Sequence, residues 1–206
     1  MKSLDELALS IKVYAPGVAD PAMYFGIRQA AIEFCERTRL WRYEDEFTVS
    51  VDEAEFLAAP NGADIHEIEA VFFNGQELEP AATSWLDDHL AGWRTNTLSG
   101  LPKYYTQTEP DTIRLAPFQA GTVSLSVRVK PSQDAETLPD WMVNQHRETL
   151  AHGALARILL MPNQSFTNPE LGAAFGALFA RKLDGLFDKG FTGQQRAKKR
   201  TKANFF

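Results

Sequence analysis

Between Leu138 and Asp188 the chain carries two helix-length apolar stripes separated by a stop-and-restart signal, and few arrangements other than a helical hairpin satisfy that pattern. In LPDWMVNQHRETLAHGALARILLMPNQ, Pro139 suits a first helical turn, where its missing N–H is not needed, and Asp140 favours the positive end of the helix dipole. The pattern predicts a helix to about Met161, stopped by Pro162-Asn163-Gln164. Asn168-Pro169-Glu170 then restarts the chain with a capping side chain, an N1 proline and an acidic first turn. On the second helix Leu171, Ala174, Phe175, Leu178, Phe179, Leu183, Leu186 and Phe187 recur at three- and four-residue spacing, an apolar stripe that needs a partner. The first helix offers Val143, Leu150, Ala154, Leu155, Ile158 and Leu159, and Gly153-Ala154 removes bulk where another helix can approach closely.

The N-terminal segment supplies the third wall. SLDELALSIKVY reads as a short helix with Ser3 as cap, Glu6 at the capping-box position, and Leu4, Leu7, Ile11 and Tyr14 on one side. After Pro16-Gly17, Asp20-Pro21 opens a second helix that buries Tyr24, Ile27, Ala31, Phe34 and Cys35 and leaves Arg28, Glu33, Glu36 and Arg37 solvated.

From Trp41 the period changes to two. Phe47, Val49 and Val51 alternate with Glu46, Thr48 and Ser50, and Ile68, Ala70 and Phe72 alternate with acids before Asn74-Gly75, a two-residue hairpin turn. TSWLDDHLAGW predicts a short helix capped by Thr83 or Ser84, with Trp85, Leu86, Leu90 and Trp93 covering a sheet face. A turn at Glu109-Pro110-Asp111 separates Tyr104-Tyr105 from Ile113–Leu115, and TVSLSVRVKP alternates Val123, Leu125, Val127 and Val129 with Thr122, Ser124, Ser126 and Arg128. The expected fold is α+β in one domain: residues 1–40 and 138–190 form a helical layer, residues 41–135 an inserted layer of five or six antiparallel strands with one small helix, and residues 191–206 a basic, flexible tail.

Chemistry-bearing constellations are scarce. Cys35 is the only cysteine and falls in an apolar pattern, as a buried structural thiol would. His146 and His152 lie six apart on one helix, so they are on different faces and not the four-residue pair of helical zinc sites. The acid groups Glu44-Asp45-Glu46, Asp52-Glu53 and Asp87-Asp88 read as solvated surface, and Trp41, Trp85, Trp93 and Trp141 as packing at helix–sheet junctions. The sequence contains no glycine-rich phosphate loop, nucleophile elbow or cysteine–histidine signature, so no enzymatic site, cofactor or metal is expected. Asp5 and Glu6 interrupt what a signal peptide would need, and no apolar run is long enough to span a bilayer, so a soluble, unexported protein without a membrane partner is expected.

Charge is unevenly placed. The chain carries 21 basic and 27 acidic residues, but residues 191–206 hold five of the basic ones and no acid, which leaves −11 for the first 190 residues. An acidic body argues against a general DNA-binding surface, because phosphate contacts need clustered Lys and Arg.

Four stretches, taken in order, resemble the head-to-tail adaptor proteins of short-tailed bacteriophages, the group of tail tubular A proteins and related head completion proteins. They are QAAIEFCERTRLW, IHEIEAVFFNGQELEP, GLPKYYTQTEPDTIRLAPF and GALARILLMPNQSFTNPELGAAFGALFARKL, within about residues 20–185. The G-x-P-x-Y-Y strand followed by an I-x-L-x-P strand is the most specific feature, although Pro117 is followed here by Phe118-Gln119 and not by a second proline. The resemblance implies a virion protein of the head–tail neck, assembled in the host bacterial cytoplasm. It implies a dodecameric ring beneath the portal protein, with the tail nozzle protein below and genomic double-stranded DNA passing through without sequence-specific binding. Within that reading Phe205 and Phe206 are expected to anchor the tail in an apolar pocket of a portal subunit or adjoining adaptor, while Arg196, Lys198, Lys199, Arg200 and Lys202 lie along an acidic groove. Two other readings stay open at this point: a nucleic-acid or partner-binding module working through the basic tail, and a tail-associated polysaccharide hydrolase using some of the acids.

Overall fold

The computed structural model describes residues 1–50, 55–95 and 98–192. In chain order its elements are β1 (Lys2–Ser3), a 3-10 turn (Leu4–Leu7), α1 (Ala8–Lys12), α2 (Asp20–Thr38), β2 (Arg42–Val49), β3 (Glu55–Leu57), β4 (Ala63–Phe73), β5 (Gln76–Glu77), β6 (Glu79–Pro80), α3 (Thr83–His89), a 3-10 turn (Trp93–Thr95), β7 (Tyr104–Thr106), β8 (Thr112–Ala116), β9 (Gly121–Pro131), β10 (Thr137–Leu138), α4 (Asp140–Ile158) and α5 (Pro169–Thr192). The fold class is α+β. The elements divide between two units, one made of Met1–Trp41 and the chain from Ala135 onward, the other of Arg42–Asp134.

The first unit is a three-helix core of α2, α4 and α5 with the N-terminal turn against it. Asn168 caps α5 by accepting the Leu171 amide at 3.0 Å, so the restart signal works as its chemistry requires. α4 stops at Ile158, a turn short of Met161, and its polypeptide is turned away by Asn163 at φ 59°. Its backbone leaves the helical region at His146 (φ −125°, ψ 19°), a kink that the apolar spacing does not disclose. A Cβ on Gly153 would lie 2.8 Å from the Ala30 methyl and 2.9 Å from the Phe179 ring, closer than carbon atoms pack. The three helices therefore meet at a point that only glycine permits. Leu150, Ala154 and Ile158 are fully buried around it, each large side chain contributing roughly 1.5–3 kcal/mol of transfer free energy.

Two expectations fail in this unit. Glu6 does not close a capping box: Ser3 accepts the Asp5 amide, but the Ser3 backbone is paired with Thr137, and Glu6 carries its carboxylate to Arg147 at 3.2 Å and Lys2 at 3.6 Å. On α5 the apolar stripe is wider than its cover. Phe175, Phe179 and Leu183 are buried, whereas Ala174, Leu178 and Phe187 are exposed, as is Tyr14, which meets the Phe175 ring edge-on.

The second unit holds two four-stranded sheets, ordered β2-β9-β4-β5 and β3-β8-β7-β6. Eight strands replace the expected five or six, because β3, β5 and β6 are too short to show a period of two. Val123, Leu125, Val127 and Val129 of β9 are buried as the alternation requires. Asn74 and Gly75 both take positive φ (48° and 80°) and pair Phe73 with Gln76, the geometry of a primed two-residue turn. In β4 the face reverses. Register shifts at Ile65/Glu67 and Ile68/Ala70 insert His66 and Glu69 as extra residues, so Val71 and Phe73 are buried while Ala70 and Phe72 are only partly covered. The cap of α3 also differs: Ala82 occupies the N-cap with no side-chain bond, and Thr83 is already helical. Leu86 and Trp93 are buried with Ala116, whereas Trp85 stays over a third exposed and stacks on His89 at 4.4 Å. Asp111, in the left-handed region at φ 63°, joins the sheets by accepting the Ile65 amide on Oδ1 and the Ala58 amide on its carbonyl.

Candidate interaction surfaces

The two units differ most in charge. Arg42–Asp134 contains 16 acidic and 6 basic residues, a net −10, while residues 1–41 and 135–192 contain 11 acidic and 10 basic. The acidity of the body is therefore the acidity of the β unit.

On one face of the β2-β9-β4-β5 sheet, the bulge residue Glu69 binds three neighbours. Its carboxylate accepts from Arg42 Nε at 2.8 Å, Arg128 Nη2 at 2.8 Å and Ser126 Oγ at 3.0 Å, linking β4, β9 and β2. Burial works against ionisation of Glu69, and the bond from Arg42, the charge of Arg128 and the bond from Ser126 outweigh it, holding the carboxyl below its usual range. Arg128 is 4% exposed; burial lowers its affinity for the proton and Glu69 opposes that. Sequence alternation had placed Arg128 among outward polar residues, and the signal that would have found its partner, a bulge at Glu69, is not readable from spacing.

Next to this network the pairing lines up Glu46, Ser124 and Phe72 in one row across β2, β9 and β4, with Glu44, Ser126 and Ala70 in the next. The small serines leave a shallow recess of about 530 Å³ with Glu44, Asp45 and Glu46 along one side and the half-buried Phe72 on the other. Asp45 accepts from the Tyr43 hydroxyl at 2.7 Å. Other acids of this unit are cross-links. Glu55 is held low first by Thr108, then by Thr112 and Arg114, against the opposing effect of burial, and Asp87 first by Arg94, then by Trp93. Asp64 moves the other way, raised by burial and by the charge of Asp111.

The helical unit presents grooves on either side of α5. One of about 400 Å³ is lined by Glu36, Arg37, Arg39, Leu183, Asp184 and Phe187; another of about 280 Å³ runs past His146, Glu148, Arg181 and Lys182. His146 and His152 each pack on a ring: His146 against Phe34 at 4.9 Å, His152 stacked on Phe175 at 5.0 Å. Burial lowers the His152 pKa, and Glu148, which would favour its charge, is 4.0 Å away. Among the described residues no group of three His, Cys, Asp or Glu side chains has the arrangement of a metal site. No described helix is long and apolar enough to cross a membrane. The tail residues singled out from sequence, Arg196, Lys198, Lys199, Arg200, Lys202, Phe205 and Phe206, lie outside the described residues, as do Val51 and Asp52-Glu53.

A family model described as SU10 adaptor protein matches residues 4–203 of the chain. No curated protein matches it.

Proposed function

We propose that this chain, which belongs to the SU10 adaptor protein family, is the ring-forming member of a phage neck, seated between the portal and the tail nozzle. Membership gives the coarser statement directly: a phage head–tail adaptor, structural in role. The finer reading, of the tail tubular and head completion type, is a ring of about twelve copies that continues the DNA channel, closed by contacts between unlike patches of neighbouring chains. In it both units and the tail act as one adaptor domain, and the tail residues Arg196, Lys198, Lys199, Arg200, Lys202, Phe205 and Phe206 hold the ring to the portal.

The observation that carries this reading is the extent of the family match, residues 4–203, which spans both units and reaches into the tail. The charge of the β unit agrees with it: a surface with a net charge of −10 repels a phosphate backbone and gives passing duplex nothing to bind. Electron microscopy of the purified chain mixed with its portal tests the proposal. A closed ring on one end of the portal is the expected image; portals that remain bare at saturating chain overturn it.

A further inference from the structure

The recess on the β2-β9-β4 face has two chemically different ends. Glu44 and Glu46 are exposed at one, with no cation in salt-bridge contact among the described residues, and Phe72 lies at the other, half covered and across two serines. Neighbouring strands lie about 4.8 Å apart, so Glu46 on β2 and Phe72 on β4 are separated by roughly 10 Å. A fitting occupant needs cations and an aromatic ring within a few residues of one another on one segment.

The C-terminal segment carries both: Phe205 and Phe206 follow Arg196, Lys198, Lys199, Arg200 and Lys202 with no acid among them, a charge opposite to that of the recess. We propose that, before the portal is engaged, the C-terminal segment Arg196–Phe206 of one chain seats in the β2-β9-β4 recess of a second copy, with Phe205 against Phe72 and the basic run along Glu44, Asp45 and Glu46. The inference rests on the adaptor reading, since it supplies the unlike, oppositely charged patches from which a heterologous assembly is built. Each chain carries one donor segment and one acceptor recess. Exposed ion pairs are individually weak and screened by salt, so the contact is a reversible, salt-sensitive association that yields the tail to the portal.

Zero-length carbodiimide coupling of full-length protein, an equal mixture of isotopically light and heavy chains at low salt, tests the contact. The expected products are light–heavy links from Lys198, Lys199 or Lys202 to Glu44, Asp45 or Glu46. Arg196→Gln with Arg200→Gln, which removes two tail cations and leaves every coupling lysine and carboxylate in place, should lower their yield roughly three- to tenfold, the effect of losing two exposed pairs. Phe205→Ala with Phe206→Ala should lower it by about tenfold or more while leaving every charge in place. Links confined to single chains, tail lysines coupling without preference to acids throughout the protein, or an unchanged yield in the glutamine variant would each overturn the proposal. The portal micrograph is independent: a ring on the portal without these links removes this contact and leaves the adaptor reading standing.

Discussion

The helical unit and the β unit are held by different physics. In the first, α2, α4 and α5 approach until Gly153 touches Ala30 and Phe179, and its ion pairs lie at the surface, as Arg37–Asp184 does with Asp184 71% exposed. Exposed pairs of that kind are worth about 0–1 kcal/mol, so fit between apolar faces decides its stability. In the second, ladder hydrogen bonds already join the strands, and the side chains between them include a buried arginine on a bulged glutamate. A unit can thus be strongly acidic and still cohere, provided its few cations sit where the acids converge: Arg42 and Arg128 on Glu69, Arg94 on Asp87, Arg114 on Glu55.

The largest expected effect follows from removing that convergence. Glu69→Ala leaves the Arg128 guanidinium buried without its counter-charge and should destabilise the β unit by about 3 kcal/mol, the lower end for breaking a buried pair because Glu69 retains some exposure. Hydrogen exchange should rise over residues 42–134 and not over the helical core. Replacing both partners, Glu69→Leu with Arg128→Met, should recover most of the loss. If the single change costs no more than an exposed pair, the two units are not held differently.

Fit is tested at Gly153. Gly153→Ala forces a methyl against Ala30 and Phe179 and should cost about 1–3 kcal/mol through overpacking, despite alanine's better helix propensity. Gly185→Ala, on α5 with nothing within 4 Å of the added methyl, should instead stabilise by roughly 0.5–1 kcal/mol. Urea unfolding of the two variants reads the difference, and equal signs would show that α4 has room to move.

What could be read from the sequence divides along the same line. The hairpin of α4 and α5 was legible because its determinants are local: Asn168-Pro169 caps and starts, Pro162-Asn163 stops, and Gly153 stands where bulk is excluded. Strand identity was legible in β9, whose valines alternate without interruption. In β4 it was not, since the residue inserted at Glu69 rotates the chain beyond Ile68, and the covered positions pass from the predicted Ala70 and Phe72 to Val71 and Phe73. Capping at Ala82 and the kink at His146 also escaped, because neither leaves a mark in residue type or apolar spacing. The recess was invisible for the same reason as the bulge: Glu46, Ser124 and Phe72 are brought into one row by register alone.

Acidification should separate the units by pH window. Glu55 and Glu69 are held below the ordinary carboxyl range, so the stability they give is complete above that range and is lost as pH falls through their lower folded values. In the helical unit Asp5 is also held low, first by the Tyr24 hydroxyl and then by Ser3, but it is an exposed carboxylate at the edge of a core held by apolar fit. Because partly buried carboxylate cross-links tie the β unit together and apolar contacts hold the helical core, exchange measured between neutrality and pH 3 should loosen residues 42–134 before residues 1–41. Simultaneous loosening would mean that the carboxylate cross-links do not govern the β unit.

The smallest effect is the one whose sign carries the comparison. Glu44→Gln with Glu46→Gln removes two charges that face no cation among the described residues, on one face of a strand inside a unit of net charge −10. Relief of like-charge repulsion should raise stability by a few tenths of a kcal/mol at low salt, within the range of ordinary surface changes. Glu33→Gln in the helical unit also removes a negative charge, but there the carboxylate meets Arg157 at 2.5 Å and Arg37 at 3.6 Å. Its loss should cost about 0.2–1 kcal/mol. Both changes should shrink toward zero near 1 M salt, where the screening length is about 3 Å. Opposite signs at low salt that converge at high salt would show that the surplus charge of the β unit is a standing repulsion; a shared sign would show that its acids are already neutralised by their surroundings.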